Sequence, residues 1–215
     1  VQAALGAVTV RSELSPGTVA AHFALGQALL ASLVVVYMVA SRGALVLEPG
    51  GSSDRTDPLP KLALASAIAL YLLMLSGSYV TVSGATAACG THWPLCQGGI
   101  FPDGLDFDST LTQLPMVHMA HRFASVLIGA FLMYTLHLGI RGRRRPPQVR
   151  LVSMGTATLF LAQVLVGALT VWLGFPGSLS ALHVAMATAV WCTMVALVVL
   201  SFAGHPAPAK DLLHA

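Results

Sequence analysis

Two short stretches hold the side chains best suited to chemistry. "HMAHRF" (118–123) sets two imidazoles and a guanidinium at the threshold of an apolar run that continues without a charge to Ile140, and "ALH" ending at His183 stands near the start of another. An ionisable group inside a membrane segment is costly, so it defaults to a functional role with a named partner. His121 lies about five residues into an expected span 116–140 and His183 about as far into 179–203, so at a rise of 1.5 Å per residue both sit roughly 7 Å below the same end of their helices. Two level imidazoles on facing helices of a bundle are what axial ligation of a haem iron requires. Each ligating ring also needs its second nitrogen held by a carbonyl, a carboxylate or water. The alternative is that each histidine only caps or hydrogen-bonds within the bundle.

Neighbouring groups leave alternatives open. His118, one turn before His121 on a similar face, is a second ligand candidate or an interfacial residue; His121 is favoured. Arg122 suits a haem propionate, because a guanidinium grips a carboxylate bidentately, or it serves as an interfacial anchor. His137 lies near the other end without a level partner and reads as structural.

The elements that must position these residues follow from composition. Charged residues make up 9% of the 215-residue chain and apolar ones 56%, a balance that excludes an ordinary water-soluble domain. Stretches without Asp, Glu, Lys or Arg predict spans near 18–40, 62–83, 116–140, 151–173 and 179–203, with Val1–Val10 as the tail of one more. The start within an apolar helix, without Met, leads to the expectation of an N-terminally truncated fragment. "RGRRRPPQVR" (141–150) holds five arginines and no acid between two spans, so this loop is expected on the cytoplasmic side rather than on nucleic acid. Counting outward, 41–61 is cytoplasmic too, and 84–115, with three Asp and no Lys or Arg, is extracytoplasmic.

A repeat organises the chain. "QAALGAVTVRSELSPGTVAAHFALGQAL" from Gln2 aligns without a gap on "QVLVGALTVWLGFPGSLSALHVAMATAV" from Gln163. Gln2, Gly6, Thr9 and His22 recur as Gln163, Gly167, Thr170 and His183, all at an offset of 161, and small residues at matched places suit close helix packing. Both copies run in the same direction, which predicts a parallel duplication of a four-helix unit about an axis along the membrane normal. The expected fold is therefore an all-α integral membrane protein of two four-helix-bundle halves, the first incomplete with about a hundred residues upstream. Residues 1–45 form the remainder of the N-terminal half, 46–60 a cytoplasmic linker, 61–205 the C-terminal haem-binding half and 206–215 a cytoplasmic tail.

In the outer loop, Cys89 and Cys96 face an oxidising compartment, where a disulfide persists. A zinc site built with His92 is the weaker alternative, since no fourth ligand is evident and the spacing is unusual for zinc. Trp93 and Ile100 could lie over a haem as a lid, or Trp93 could belong to an interfacial aromatic belt. Cys192 reads as a small packing residue.

With these motifs in place, "GSYVTVSGATAACGTHWPLC", "HMAHR" and "QVLVGALTVWLGFP…ALH" together resemble the haem A synthase family, from the third helix of an eight-helix protein to its C-terminus. The resemblance implies that His121 and His183 ligate a b-type haem (haem b) and that His22 survives from the pair on the substrate-haem side. It also implies that Cys89 and Cys96 form the family's outer-loop disulfide. The implied reaction is oxidation of the C8 methyl of haem O to a formyl group, with water as oxygen source, giving haem A for terminal oxidases. The implied partners are haem O as substrate, haem O synthase, an electron acceptor and the lipid bilayer of the plasma membrane, with no nucleic acid. The family's catalytic acid belongs to a first outer loop that this chain does not contain. Glu13 and Glu48 do not match it, so the catalytic residue is unassigned and the fragment alone is expected to be inactive. A bis-histidine membrane electron carrier that leaves its haem unchanged is the rival reading, and a transporter built on parallel repeats is a third.

Overall fold

The computed structural model describes residues 1–41, 57–99, 110–142 and 145–203, with the backbone alone at 110–112. The described residues form α1 (Gln2–Arg11), α2 (Pro16–Ser41), α3 (Leu59–Val82), α4 (Thr110–Arg141), α5 (Pro147–Trp172) and α6 (Gly177–Phe202). A single 3₁₀ turn, Ala85–Ala87, follows α3. Helices α2 to α6 are long and apolar enough to cross a membrane, as the charge-free stretches predict. The linker residues 46–56 with Glu48, Ile100 and the tail 206–215 lie outside the described residues.

Prolines set several of the starts. Pro60 lies in the first turn of α3 and Pro147 in that of α5, where the missing N–H has no helical partner to lose. Helix α4 begins at Thr110 rather than at 116, about a turn and a half earlier, and runs through Pro115, because a proline this near a helix start removes one backbone hydrogen bond without ending the helix. The loop after α3 is correspondingly shorter than the expected 84–115.

Helices α3, α4, α5 and α6 each pack on the next, and α6 closes the ring against α3. This is an antiparallel four-helix bundle in which α4 and α6 occupy diagonal corners. Helix α2 lies in the groove between α3 and α6, and α1 packs on α2. Large buried side chains, including Leu70, Met74, Leu132, Phe160, Val190 and Met194, fill the end of the bundle near the α4–α5 turn. The close fit there shows at Gly129, where a β-carbon would stand 2.7 Å from the Phe160 ring. Apolar side chains on the outward faces, such as Leu29, Leu33, Val126, Leu127 and Leu165, are exposed, as befits surfaces that meet lipid.

The turns between α1 and α2 and between α5 and α6 have the same backbone form. Glu13 and Leu14 have φ of 54° and 61°, and Gly174 and Phe175 have φ of 73° and 62°. Leu14 N–H donates to the Thr9 carbonyl (3.0 Å), as Phe175 N–H does to that of Thr170 (2.8 Å). Corresponding residues are 161 apart. At the opposite end of the bundle Asp57, just before α3, makes a bidentate ion pair with Arg145, just before α5, with Arg145 Nη2 to Asp57 Oδ1 at 2.6 Å. The loops preceding α3 and α5 thus lie at one end of the molecule. The hydrogen bond from Arg145 holds the Asp57 carboxyl below its usual range, and the same bond raises Arg145.

Candidate functional site

His121 projects from α4 and His183 from α6, on the bundle diagonal and towards the end away from the packed apolar core. His118 and Arg122 lie one turn before and directly after His121 on the same helix. Each ring lies on a glycine of the adjacent helix. A β-carbon at Gly77 in α3 would stand 3.0 Å from His121 Cε1, and one at Gly167 in α5 would stand 2.8 Å from His183 Cε1. Side chains at 77 and 167 would therefore collide with the imidazoles, so the two glycines fix how far each ring can lie back against its neighbour.

Hydrogen bonding favours one tautomer of His121. Ser76 Oγ is 2.7 Å from His121 Nδ1 and donates its proton to the Leu73 carbonyl at 2.7 Å. Turned the other way the Ser76 hydroxyl would donate to Nδ1; with its one proton on the Leu73 carbonyl it accepts from Nδ1–H. This leaves the lone pair on His121 Nε2, the arrangement by which a second partner orients a metal-binding imidazole. His183 differs: its Nε2 lies 3.3 Å from Gln163 Nε2 in α5, while its Nδ1 and Gln163 Oε1 are buried without a partner. Ser76, Gly77, Gly167 and Gln163 are thus the supports of the pair. Ser76 and Gly77 did not stand out in the sequence because nothing there shows which turn of α3 faces α4.

His118 is 7% exposed on α4, which packs against the 3₁₀ turn at the start of the outer loop. Arg122 grips the other part of that loop, its Nη1 donating to the carbonyls of Pro94 (3.1 Å) and Leu95 (2.8 Å). Its Nε and Nη2 are buried with no partner, and these two donors form one edge of the guanidinium fork. Cys89 and Cys96 are joined in a disulfide, both fully buried against Met119, so they are not zinc ligands. No group of three or more metal-binding side chains occurs among the described residues. Trp93 meets Trp172 edge to face at a centroid distance of 5.4 Å, linking the loop to the end of α5 and lining a pocket of about 310 Å³ with His92 and Leu95.

The third histidine of the repeat, His22, lies against Gly6 of α1, where a β-carbon would stand 3.1 Å from its Cε1. Its Nδ1 is buried without a partner. His137 is exposed on α4 and Cys192 is partly buried in α6.

These features define a class: a multi-pass helical membrane protein with glycine-backed histidines on two diagonal helices and a disulfide-closed loop. The chain belongs to the cytochrome oxidase assembly protein family, whose sequence profile matches residues 1–195, in agreement with the resemblance to haem A synthases. Among curated relatives, it is 26% identical over 144 residues to "Heme A synthase" of Bacillus licheniformis, covering 67% of this chain and 45% of that one. It is 25% identical over 140 residues to "Heme A synthase" of Alkalihalophilus pseudofirmus (65% and 45%) and 24% identical over 141 residues to that of Bacillus cereus strain AH187 (66% and 43%). The matched region spans less than half the length of these relatives.

Proposed function

We propose that the chain is part of a haem A synthase that oxidises the C8 methyl of haem O to a formyl group, with a b-type haem held between His121 and His183. The observation that carries this reading is the His121–Ser76–Leu73 relay, which leaves a lone pair on Nε2 of a histidine diagonal to His183, with glycine under both rings. The free Nε–Nη2 edge of Arg122 is a further polar group that a bound haem would satisfy, through a propionate. A haem here supplies one-electron chemistry and a relay towards an acceptor in the membrane. The chain's own residues do the rest: Ser76 holds the proton on His121 Nδ1, the glycines set the ring positions, and Arg122 holds the outer loop.

His22 is assigned to the side that handles the substrate haem. Its setting on Gly6 and the shared turn geometry at 13–14 and 174–175 support a parallel duplication, with the second member of its pair supplied by further chain. The disulfide supports an oxidising compartment for the outer loop, and the five arginines of 141–150 support a cytoplasmic side for that loop; on this reading the membrane is the plasma membrane. Haem O arrives from a haem O synthase, and no residue of this chain is assigned as catalytic acid or base.

Expression of the full-length protein with haem O present, followed by mass analysis of the extracted haem, tests the activity. A formylated haem is expected. Unchanged haem with a b-type spectrum would instead identify a membrane electron carrier, and absence of bound haem would refute the site.

A further inference from the structure

The two glutamines related by the offset of 161 take different partners. Gln163 points its amide at the ring of His183, 3.3 Å from Nε2. Gln2, at the corresponding place on α1, turns to the backbone and donates to the carbonyl of His22 at 2.8 Å. In a helix the carbonyl of residue 22 points towards residue 26, and residue 26 is glycine. The Gln2 amide lies in the space beside it: a β-carbon at Gly26 would stand 2.8 Å from Gln2 Nε2. The corresponding residue on α6 is Ala187, which carries the β-carbon that Gly26 lacks.

We propose that Gln163 is the positioning residue of His183, kept on the ring by Ala187, and that Gly26 withdraws the equivalent hold from His22. This rests on the reading above that His183 is a haem ligand, but the hydrogen-bond choice itself does not. Two histidines on nearly the same glycine-backed frame then differ in one respect. His183 carries a side-chain amide against its ring, which suits a ligand of a resident haem. His22 carries no hydrogen bond on either ring nitrogen among the described residues, which suits a site where haem must enter and leave.

The two orphans left at the His183 site are complementary. If Gln163 donates to Nε2, the ring proton is on Nδ1, a donor, and Gln163 Oε1 is an acceptor. A ligand that takes the Nε2 lone pair displaces the amide N–H, and on this proposal Gln163 then turns its Oε1 to accept from Nδ1–H. It remains a partner of the ring in either state, as a metal-bound imidazole requires.

The test uses the full-length protein in detergent, with histidine ¹⁵N spectra of the haem-free form and the rate of haem transfer to apomyoglobin from the loaded form. Gln163→Met, close in size but without an amide, should shift the His183 ring resonances and speed haem loss about ten-fold, the low end of the usual effect of losing such a partner. Ala187→Gly should do the same, because it reopens the backbone carbonyl to the amide. The double variant should be no worse than Gln163→Met alone. Gly26→Ala should displace Gln2 and shift the His22 resonances, cheaply, since only the end of a flexible side chain must move. If Gln163→Met leaves both the His183 resonances and the haem-transfer rate unchanged, the positioning role is wrong. If Ala187→Gly is silent while Gln163→Met is not, the assignment to Ala187 is wrong. A wild-type protein that takes up no haem would overturn the haem-site reading, and the ¹⁵N comparison would still decide the hydrogen-bond proposal.

Discussion

Gln27 of α2 donates a hydrogen bond to Thr188 of α6 at 3.1 Å, and the two residues are 161 positions apart. Under the duplication proposed above they are equivalents, and equivalents that touch must lie beside the axis relating the halves. The contact is anchored on one side only: Trp191 Nε1 donates to the Gln27 carbonyl (2.9 Å) and packs against Tyr71, whose hydroxyl donates to the Ala24 carbonyl (2.9 Å). Gln27 is 8% exposed, in a segment where water cannot replace a lost partner. A double-mutant cycle of Gln27→Leu and Thr188→Val, read by thermal unfolding in detergent, should give a coupling of about 0.5–1 kcal/mol, the usual size for hydrogen bonds between membrane helices. A coupling indistinguishable from zero would remove this bond as a fastening between α2 and α6.

Ser76 governs His121 through a single proton. Ser76→Ala removes the acceptor for Nδ1–H without altering the glycine beneath the ring. Haem affinity at the C-terminal site should fall about ten-fold or more, with an altered low-spin spectrum, while His121→Ala should abolish that spectrum. Gly77→Ala should also displace the ring, by overpacking that costs about 1–3 kcal/mol. Spectra of Ser76→Ala that match wild type in both haem content and band positions would show that Ser76 does not orient the ligand.

Much of this arrangement was legible in the sequence. The helices follow from charge-free stretches longer than a bilayer needs, and His121 and His183 could be placed near one end because depth along a helix is simple counting. The azimuth could not be counted. Hydrophobic residues surround these helices on every side, so no amphipathic stripe marks which face of α3 looks at α4, and Ser76 and Gly77 gave no signal. Gly167 and Gln163 did signal, through their repetition at Gly6 and Gln2, but only as packing; that the glycines lie under the imidazoles requires the helices to be assembled. The role of Arg122 was half visible. Its charge suggested a carboxylate partner, whereas its grip on the carbonyls of Pro94 and Leu95 depends on a loop fold that spacing does not determine.

The ion pair at the other end predicts a pH dependence whose sign is fixed. The bond to Arg145 holds Asp57 below its ordinary value of 3.8. A carboxyl depressed in the folded state contributes stability above its unfolded value, and that contribution disappears as pH falls through the lower, folded value. Wild-type protein should therefore lose stability on acidification below about 4, and Asp57→Asn should lower the midpoint at neutral pH by the equivalent of about 1 kcal/mol while removing that part of the acid dependence. Thermal unfolding at neutral pH and near pH 3, with Arg145→Gln as the partner variant, gives the comparison. Equal losses in wild type and Asp57→Asn on acidification would assign the effect to another group.

Arg122 makes the outer loop and the histidine pair one unit. Its Nη1 holds the Pro94 and Leu95 carbonyls, and its own residue neighbours His121, so freeing the loop and disturbing the site should occur together. Arg122→Lys keeps the charge but has no second fork edge to offer a carboxylate. It should retain part of the loop contact and lose most of what the Nε–Nη2 edge contributes, whereas Arg122→Leu should lose both. Limited proteolysis between residues 83 and 109 reports the loop and reconstitution with haem reports the site. The expected order for proteolysis is wild type slowest, Lys intermediate and Leu fastest, and for haem affinity wild type well above both variants. If Arg122→Lys bound haem as tightly as wild type, the buried free edge of the guanidinium would have no carboxylate to meet, and Arg122 would be a loop anchor alone.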